Sequence, residues 1–125
     1  MINIMVVDDD PFLIDFFDTA QSNYGYRVVA TATSGEEALA KYSRIIPRPD
    51  IVIMDQRMPN MCGVECTKRI LQMDPHAKIV FVSAERDAKK EAISAGAVEF
   101  VEKPFALSAL MEILMRVKEG IAPAR

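Results

Sequence analysis

The sequence predicts a doubly wound α/β fold, in which helices cover both faces of a five-stranded parallel sheet. Two observations lead to this fold class. Five short segments are apolar almost throughout, which is typical of strands buried on both faces. Each is followed by a longer segment whose apolar residues recur at helical spacing, so strand and helix alternate five times. A length of 125 residues accommodates one such domain.

The five predicted strands share short runs of apolar or β-branched residues. They span residues 2–7, 27–31, 50–54, 78–82 and 98–101. Because crossovers between parallel strands are right-handed, only a few doubly wound topologies remain for this order of elements.

The first two predicted helices carry recognisable start signals. Pro11 suits the first turn of a helix, with Asp9 or Asp10 as its N-cap. Ser34 is expected to cap the second helix, and Glu37, three residues later, matches a capping box. Apolar residues at helical spacing follow both signals, so we expect amphipathic helices at these positions.

The later helices are bounded by helix-breaking residues. Pro47 and Pro49 end the second helix, and Gly96 ends the fourth. The third helix is predicted over residues 64–73, the fourth over residues 85–95, and the apolar stripe of the fifth over residues 107–117. Because the inward face of the fourth helix is mostly alanine, we expect it to be thinly packed.

Composition and charge exclude several classes of protein. The net charge is −3 at neutral pH, so the basic surface of a nucleic-acid-binding domain is missing. No apolar run approaches the ~20 residues that a membrane span needs. The N-terminal residues do not follow a signal-peptide pattern. We therefore expect a cytoplasmic protein that binds neither nucleic acid nor a membrane.

The two cysteines, Cys62 and Cys66, are expected to be free thiols in a reducing compartment. Two cysteines four residues apart on one helix do not face each other well enough for an easy disulfide. A zinc site would need two further good ligands, and His76 is the only histidine.

Polar side chains follow four of the predicted strands, and the carboxyl ends of parallel strands are where such sheets bind ligands. These residues are three acids after the first strand, one acid after the third, a hydroxyl after the fourth and an amine after the fifth: Asp8, Asp9, Asp10, Asp55, Ser83 and Lys103. Taken singly, each is also typical of a helix cap, a turn or a solvated surface. Their convergence on one edge favours a functional site.

The acids restrict the chemistry of that site. At an effective dielectric constant near 20, two carboxylates ~4 Å apart repel each other by ~4 kcal/mol. A cation relieves this repulsion, and ligation by carboxylate oxygens suits Mg²⁺ or Mn²⁺. Together with Lys103 and the Ser83 hydroxyl, the cluster matches the requirements of phosphoryl transfer, in which one aspartate can act as the nucleophile.

Four motifs in order along the chain carry a family resemblance: VVDDDP at 6–11, DIVIMDQRMPNMCG at 50–63, VFVSAE at 80–85 and GAVEFVEKPF at 96–105. They resemble the receiver domain of two-component response regulators, and the chemotaxis receivers in particular. The resemblance implies a flavodoxin-like sandwich with strand order 2-1-3-4-5. It also implies a receiver domain over residues 1–119, with residues 120–125 as a tail or the start of a linker.

The resemblance assigns the metal and phosphate chemistry to individual residues. Asp55 would be the phosphoacceptor. Asp9 would hold Mg²⁺ directly and Asp8 largely through water, with Asp55 and the backbone carbonyl of Arg57 completing the ligand set; Mn²⁺ could replace Mg²⁺. Lys103 would pair with a phosphoryl oxygen.

Further roles concern the response to phosphorylation. Ser83 would move to bind the phosphoryl group, and Phe100 would turn inward with it. The Lys103–Pro104 peptide bond would be cis. Arg57 and Glu85 would flank the acceptor, and we hypothesise that they form an ion pair across the site mouth that slows hydrolysis of the phosphorylated aspartate.

The resemblance also implies a function and a set of partners. A sensor histidine kinase or a histidine phosphotransfer protein would supply the phosphoryl group. The switched surface, made of the fourth helix, the fifth strand and the fifth helix, would contact a downstream protein or a fused output domain. The resemblance is also compatible with a homodimer that forms on phosphorylation. Such a domain is a signalling protein that catalyses its own phosphorylation and dephosphorylation, not an enzyme acting on a separate substrate.

Two other classes compete with this interpretation. Asp8-x-Asp10 also resembles the nucleophile motif of haloacid-dehalogenase-type phosphatases, in which Asp8 would carry the phosphate, but that fold is larger and leaves Asp55 unexplained. A non-catalytic binding module is the second class. A flavin binder would need a phosphate-cradling turn where this chain has three aspartates, and a pseudo-receiver usually lacks acceptor or metal residues that are present here.

Overall fold

The computed structural model describes residues 1–120 as a five-stranded parallel sheet with helices on both faces. The strand order is β2-β1-β3-β4-β5, so the predicted flavodoxin-like topology is confirmed. The strands are β1 (Ile2–Val7), β2 (Tyr26–Ala32), β3 (Ile51–Met54), β4 (Ile79–Ser83) and β5 (Glu99–Glu102). The helices are α1 (Pro11–Ala20), α2 (Gly35–Arg44), α3 (Gly63–Met73), α4 (Lys89–Ala95) and α5 (Leu107–Glu119).

Two hydrophobic layers pack on the two faces of the sheet. Alternate residues of β1 point to opposite sides: Met5 packs in the layer with α2, α3 and α4, whereas Ile4 packs in the layer with α1 and α5. The strands are therefore apolar throughout because both of their faces are buried. Each fully buried aliphatic or aromatic side chain contributes roughly 1.5–3 kcal/mol to folding.

The predicted helix starts are largely confirmed. Asp10, one of the two N-cap candidates for α1, accepts a hydrogen bond from the backbone N–H of Phe12 at 2.9 Å. Ser34 caps α2 by accepting from the N–H of Glu37 at 3.1 Å. In a standard capping box the Glu37 carboxylate would accept a hydrogen bond from the N–H of Ser34. Here it accepts from the N–H of Thr33, one residue earlier. Both helix starts thus place acidic or polar caps at the carboxyl edge of the sheet.

The fourth helix begins later than predicted. In place of a continuous helix over residues 85–95, a single 3₁₀ turn, Arg86–Ala88, precedes α4. Glu85 has a non-helical backbone, and its N–H donates to the Ser83 hydroxyl, so the chain is held away from helical geometry there. The expected thin packing is confirmed: Ala92 is the buried residue of α4, and Ala88 is that of the 3₁₀ turn.

The boundaries of the predicted strands and of α3 lie within one residue of the predictions. Helix α1 ends at Ala20 and is followed by a 3₁₀ turn, where the side chain of Gln21 accepts a hydrogen bond from the N–H of Val28. Strands β4 and β5 are each shifted by one residue toward the C-terminus. Residues 121–125 of the predicted tail lie outside the described residues. Within residues 1–120, no helix is long and apolar enough to cross a membrane.

The loop between β3 and α3 is closed by a close backbone approach at Gly63. A Cβ atom at this position would lie 2.2 Å from the carbonyl oxygen of Asp55, which is shorter than any van der Waals contact. The first residue of α3 must therefore be glycine if the helix is to start against the end of β3.

We expect Gly63→Ala to lower the free energy of unfolding by at least about 2 kcal/mol, because the loop must shift to admit the methyl group. Urea denaturation measures this change. Gly25→Ala is the matched control, since nothing lies within 4 Å of its added Cβ, and it should stay within about 0.5 kcal/mol of wild type. Equal effects of the two substitutions would contradict the close approach.

Candidate functional site

The strand ends converge on one cavity, as the topology requires. Asp8 follows β1, Asp55 follows β3, Ser83 ends β4 and Lys103 follows β5. The cavity is about 220 Å³ and is lined by Asp9, Asp10, Asp55, Arg57, Ser83, Ala84, Glu85 and Lys103. The four strands singled out from the sequence, β1, β3, β4 and β5, are thus the four that build the site.

Three carboxylates form the acidic part of the site. Asp8, Asp9 and Asp55 each offer a carboxylate oxygen within 4.8 Å of the others; Asp8 and Asp55 are buried and Asp9 is exposed. This set supplies only hard oxygen ligands and two or more negative charges. It therefore fits a hard divalent cation better than a soft metal.

Asp8 is held in place by two hydrogen bonds. Its Oδ1 atom accepts from the backbone N–H of Asp10 at 2.9 Å, and its Oδ2 atom accepts from Nζ of Lys103 at 2.9 Å. Because both oxygens already have a protein partner, Asp8 is less available for direct metal ligation than Asp9, which is exposed.

Lys103 is the positive charge at the centre of the cluster. Its Nζ atom lies 2.9 Å from Asp8 and 3.6 Å from Oδ1 of Asp55. Burial alone lowers the pKa of the Lys103 ammonium, but the hydrogen bond to Asp8 and the negative charges of Asp55 and Asp8 outweigh it, so the net pKa is raised. Lys103 is therefore held in its charged form.

The pKa of Asp55 is raised to about 6, chiefly by burial and secondly by the negative charge of Asp8. Lys103, the backbone of Gln56 and the Ser83 hydroxyl act in the opposite direction but do not cancel these effects. In the folded protein without a bound cation, the ionised Asp55 carboxylate is therefore less stable than it would be in water.

This raised pKa makes stability depend on pH. Between about pH 4 and pH 6, the folded state keeps a proton on Asp55, whereas the unfolded state has released it. Wild-type stability therefore falls as pH rises through this window. Because Asn lacks the charge, we expect Asp55→Asn to be more stable than wild type by about 2 kcal/mol at pH 7 without divalent cations.

Urea denaturation at several pH values, with chelator present, tests this expectation. The difference should disappear below about pH 4, where the wild-type carboxylate is protonated in both states. Asp15→Asn removes the same charge at an exposed position on α1 and serves as the control. A less stable Asp55→Asn protein at pH 7 would show that burial does not dominate at this carboxylate.

The mouth of the site is spanned by an ion pair between Arg57 and Glu85, as hypothesised from the sequence. Arg57 belongs to the loop after β3, and Glu85 to the segment after β4. The Ser83 hydroxyl is fully buried and accepts a hydrogen bond from the N–H of Glu85 at 3.0 Å. The segment after β4 is thereby tied both to the site and to the opposite loop.

Comparison with known proteins agrees with this geometry. Residues 4–115 match the family model of the response regulator receiver domain. The chain belongs to the response regulator receiver family. The chemotaxis protein CheY of Thermotoga maritima is 40% identical over 118 residues, which cover 93% of this chain and 97% of that protein.

Solved structures give the same result for the fold. The CheX–CheY–BeF₃–Mg²⁺ complex of Borrelia burgdorferi contains a chain with 31% identity and a TM-score of 0.85, covering 93% of this chain and 88% of that one. A receiver domain of Clostridium thermocellum, at 24% identity, has a TM-score of 0.87, with 96% of each chain covered; it supports the fold alone. The phosphatase and pseudo-receiver alternatives are not favoured.

Two other residues of this receiver were singled out from the sequence, Phe100 and Pro104. Phe100 lies on β5 and stacks on Phe81 of β4, with ring centroids 6.0 Å apart; among the described residues, it does not line the site cavity. The Lys103–Pro104 peptide bond is cis, as the resemblance implied, and a second cis bond precedes Pro47.

Sequence reasoning overlooked two contacts that shape the receiver site. Arg86 makes a bidentate ion pair with Glu102 at 2.8 and 2.9 Å, which joins the 3₁₀ turn to the end of β5. The Gln56 side chain accepts a hydrogen bond from the backbone N–H of Val64 at 2.9 Å. The only signal for the second contact is Cys62, which is a poor capping residue at the start of a predicted helix.

Proposed function

We propose that this receiver accepts a phosphoryl group on Asp55 in a divalent-cation-dependent reaction and passes the signal through its α4–β5–α5 surface. The observation that carries the proposal is the convergence of buried acids, a charged lysine and a buried hydroxyl around Asp55. Separate strands position each of these groups, so the arrangement is a property of the sheet rather than of one motif.

We propose Mg²⁺ as the cofactor, held by Asp9 and Asp55, by the backbone carbonyl of Arg57, and by Asp8 largely through water; Mn²⁺ is also suited to these ligands. When bound, the cation supplies positive charge that offsets repulsion between the carboxylates and the phosphoryl oxygens.

The residues of the chain account for the rest of the transfer. A carboxylate oxygen of Asp55 forms the bond to phosphorus, while the bond from phosphorus to the donor's leaving atom breaks and that atom keeps the electron pair. Lys103 already lies 3.6 Å from Asp55 and can pair with a phosphoryl oxygen. The protein's contribution is positioning and charge neutralisation, which dominate phosphoryl transfer.

The response to phosphorylation involves the segment after β4. The buried Ser83 hydroxyl lines the cavity beside Asp55. We propose that it moves toward Asp55 to donate to a phosphoryl oxygen and that Phe100 turns inward with it. The Glu85 N–H then loses its present acceptor. Because α4 buries little beyond one alanine, its position can change at low cost, which biases a two-state surface.

The α4–β5–α5 surface presents apolar side chains to a partner: Ile93, Val98 and Met115 are each about half exposed. We propose that a downstream protein or a fused output domain binds there, and that a sensor histidine kinase or a histidine phosphotransfer protein supplies the phosphoryl group. We further propose a cytoplasmic receiver unit over residues 1–119, with residues 120–125 as a tail or linker start. A homodimer formed on phosphorylation is an alternative use of the same surface.

We expect incubation with acetyl phosphate and Mg²⁺ to add one phosphoryl group to the wild-type protein and none to Asp55→Asn, because the amide is not a nucleophile. Intact-mass analysis measures the adduct, and chelation of the cation should abolish it. If an unstable adduct escapes detection, beryllofluoride binding replaces it as the readout. An adduct that persists in Asp55→Asn would indicate phosphorylation at Asp8 and would refute the proposal.

We further propose that the Arg57–Glu85 ion pair protects the phosphorylated aspartate from water, because it crosses the cavity mouth. Arg57→Ala should shorten the phosphoryl lifetime by about two- to fivefold, the range that corresponds to one exposed ion pair. Lifetimes are measured by the loss of radioactive phosphate after removal of the donor.

Arg69→Ala is the control for this measurement, because Arg69 forms a comparable exposed ion pair with Glu65 on α3, away from the cavity. An unchanged lifetime in Arg57→Ala would show that the ion pair does not restrict water.

A further inference from the structure

We propose that Gln56 is a positioning residue for the phosphoacceptor: it fastens the chain that follows Asp55 to the start of α3. The inference rests on the proposed function, since it concerns how Asp55 and the carbonyl of Arg57 are held for that reaction. Gln56 directly follows the acceptor and is only partly buried, so its side chain could otherwise point into solvent.

Asp55 marks the place where the chain leaves the sheet. Its backbone N–H donates to the carbonyl of Val7 at 3.0 Å, which continues the ladder between β1 and β3. The next backbone contact along the chain belongs to Gln56, whose carbonyl accepts from the N–H of Gly63 at 3.0 Å. The acceptor is therefore held by the sheet on one side and by the start of α3 on the other.

The Gln56 side chain reinforces this second attachment. Its Oε1 atom accepts a hydrogen bond from the backbone N–H of Val64 at 2.9 Å, eight residues along the chain. Carbonyl and side chain of one residue thus bind the N–H groups of two successive residues, Gly63 and Val64. Such a two-point attachment restricts both the position and the rotation of residue 56.

Helix α3 depends on this contact because its own cap is weak. Cys62 occupies the N-cap position with φ −74° and ψ 166°, yet within the described chain its thiol makes no capping hydrogen bond. The first N–H groups of a helix need acceptors, and Ser, Thr, Asp or Asn normally supplies one at this position. Gln56 supplies the missing acceptor from the other end of the loop.

The attachment acts on the reacting groups through a very short path. Gly63 packs directly against the carbonyl of Asp55, so the start of α3 and the acceptor cannot move independently. Arg57, whose carbonyl is the proposed metal ligand, is the next residue after Gln56. Misplacement of a reacting group by about 1 Å can cost on the order of a hundredfold in rate, so a looser attachment should be measurable.

Gln56→Met tests the inference, because methionine has a similar length but removes the oxygen acceptor. We expect about a tenfold lower rate of phosphorylation by acetyl phosphate. We also expect a severalfold larger dissociation constant for Mg²⁺, measured by NMR titration of the unphosphorylated protein. The second measurement requires no turnover.

A second substitution separates positioning from helix stability. Cys62→Ser places a standard capping residue at the N-cap of α3, where the backbone already has the required geometry. In the double variant Gln56→Met/Cys62→Ser, we expect the midpoint of thermal unfolding to return toward wild type, while the phosphorylation rate and the Mg²⁺ affinity stay low. Cys62→Ser alone should leave both at wild-type values.

Each remaining outcome has one meaning. If Cys62→Ser restores the rate and the Mg²⁺ affinity together with stability, Gln56 acts only as a helix cap and the inference is wrong. It is equally wrong if Gln56→Met matches wild type in both measurements. If Gln56→Met fails to fold, the double variant carries the test. Absence of phosphorylation in the wild-type protein would refute the proposed function, whereas the Mg²⁺ titration would still test Gln56.

Discussion

Electrostatic repulsion among Asp8, Asp9 and Asp55 is the constraint on which the site depends. At an effective dielectric constant near 20, each close pair of carboxylates costs ~4 kcal/mol, a large fraction of the 5–15 kcal/mol that stabilises a typical domain. Lys103 offsets part of this repulsion by lying within 4 Å of both buried acids. The repulsion that remains favours the binding of a cation at the site, and the proposed phosphoryl transfer depends on that cation.

The sheet can hold this unfavourable cluster because its apolar core is continuous on both faces. β1 and β3 are neighbours at the centre of the sheet, so the two buried acids leave adjacent strands at the topological switch point. The layer with α1 and α5 and the layer with α2, α3 and α4 bury the strand residues immediately before these acids. The stability of the core therefore compensates for the charges at its edge.

The site is held unequally on its two sides. The loop after β3 is attached tightly: Gly63 packs on the Asp55 carbonyl, and Gln56 binds the start of α3. The segment after β4 is held by one buried hydroxyl and by exposed ion pairs, and it leads into a short, thinly packed α4. A rigid acceptor beside a loosely held segment is the arrangement that a phosphorylation switch requires.

The sequence by itself determined the fold class, the four strand ends that carry the chemistry, and the identity of the family, because apolar periodicity, the alternation of strands with helices and short motifs are local properties of the chain. It did not predict the late start of α4, where the Glu85 N–H donates to the Ser83 hydroxyl and the Glu85 carboxylate pairs with Arg57 across the cavity mouth. Nor did it predict the Gln56–Val64 hydrogen bond or the raised pKa of Asp55. Hydrogen-bond partners and burial depend on groups distant in sequence, so only the tertiary structure decided them.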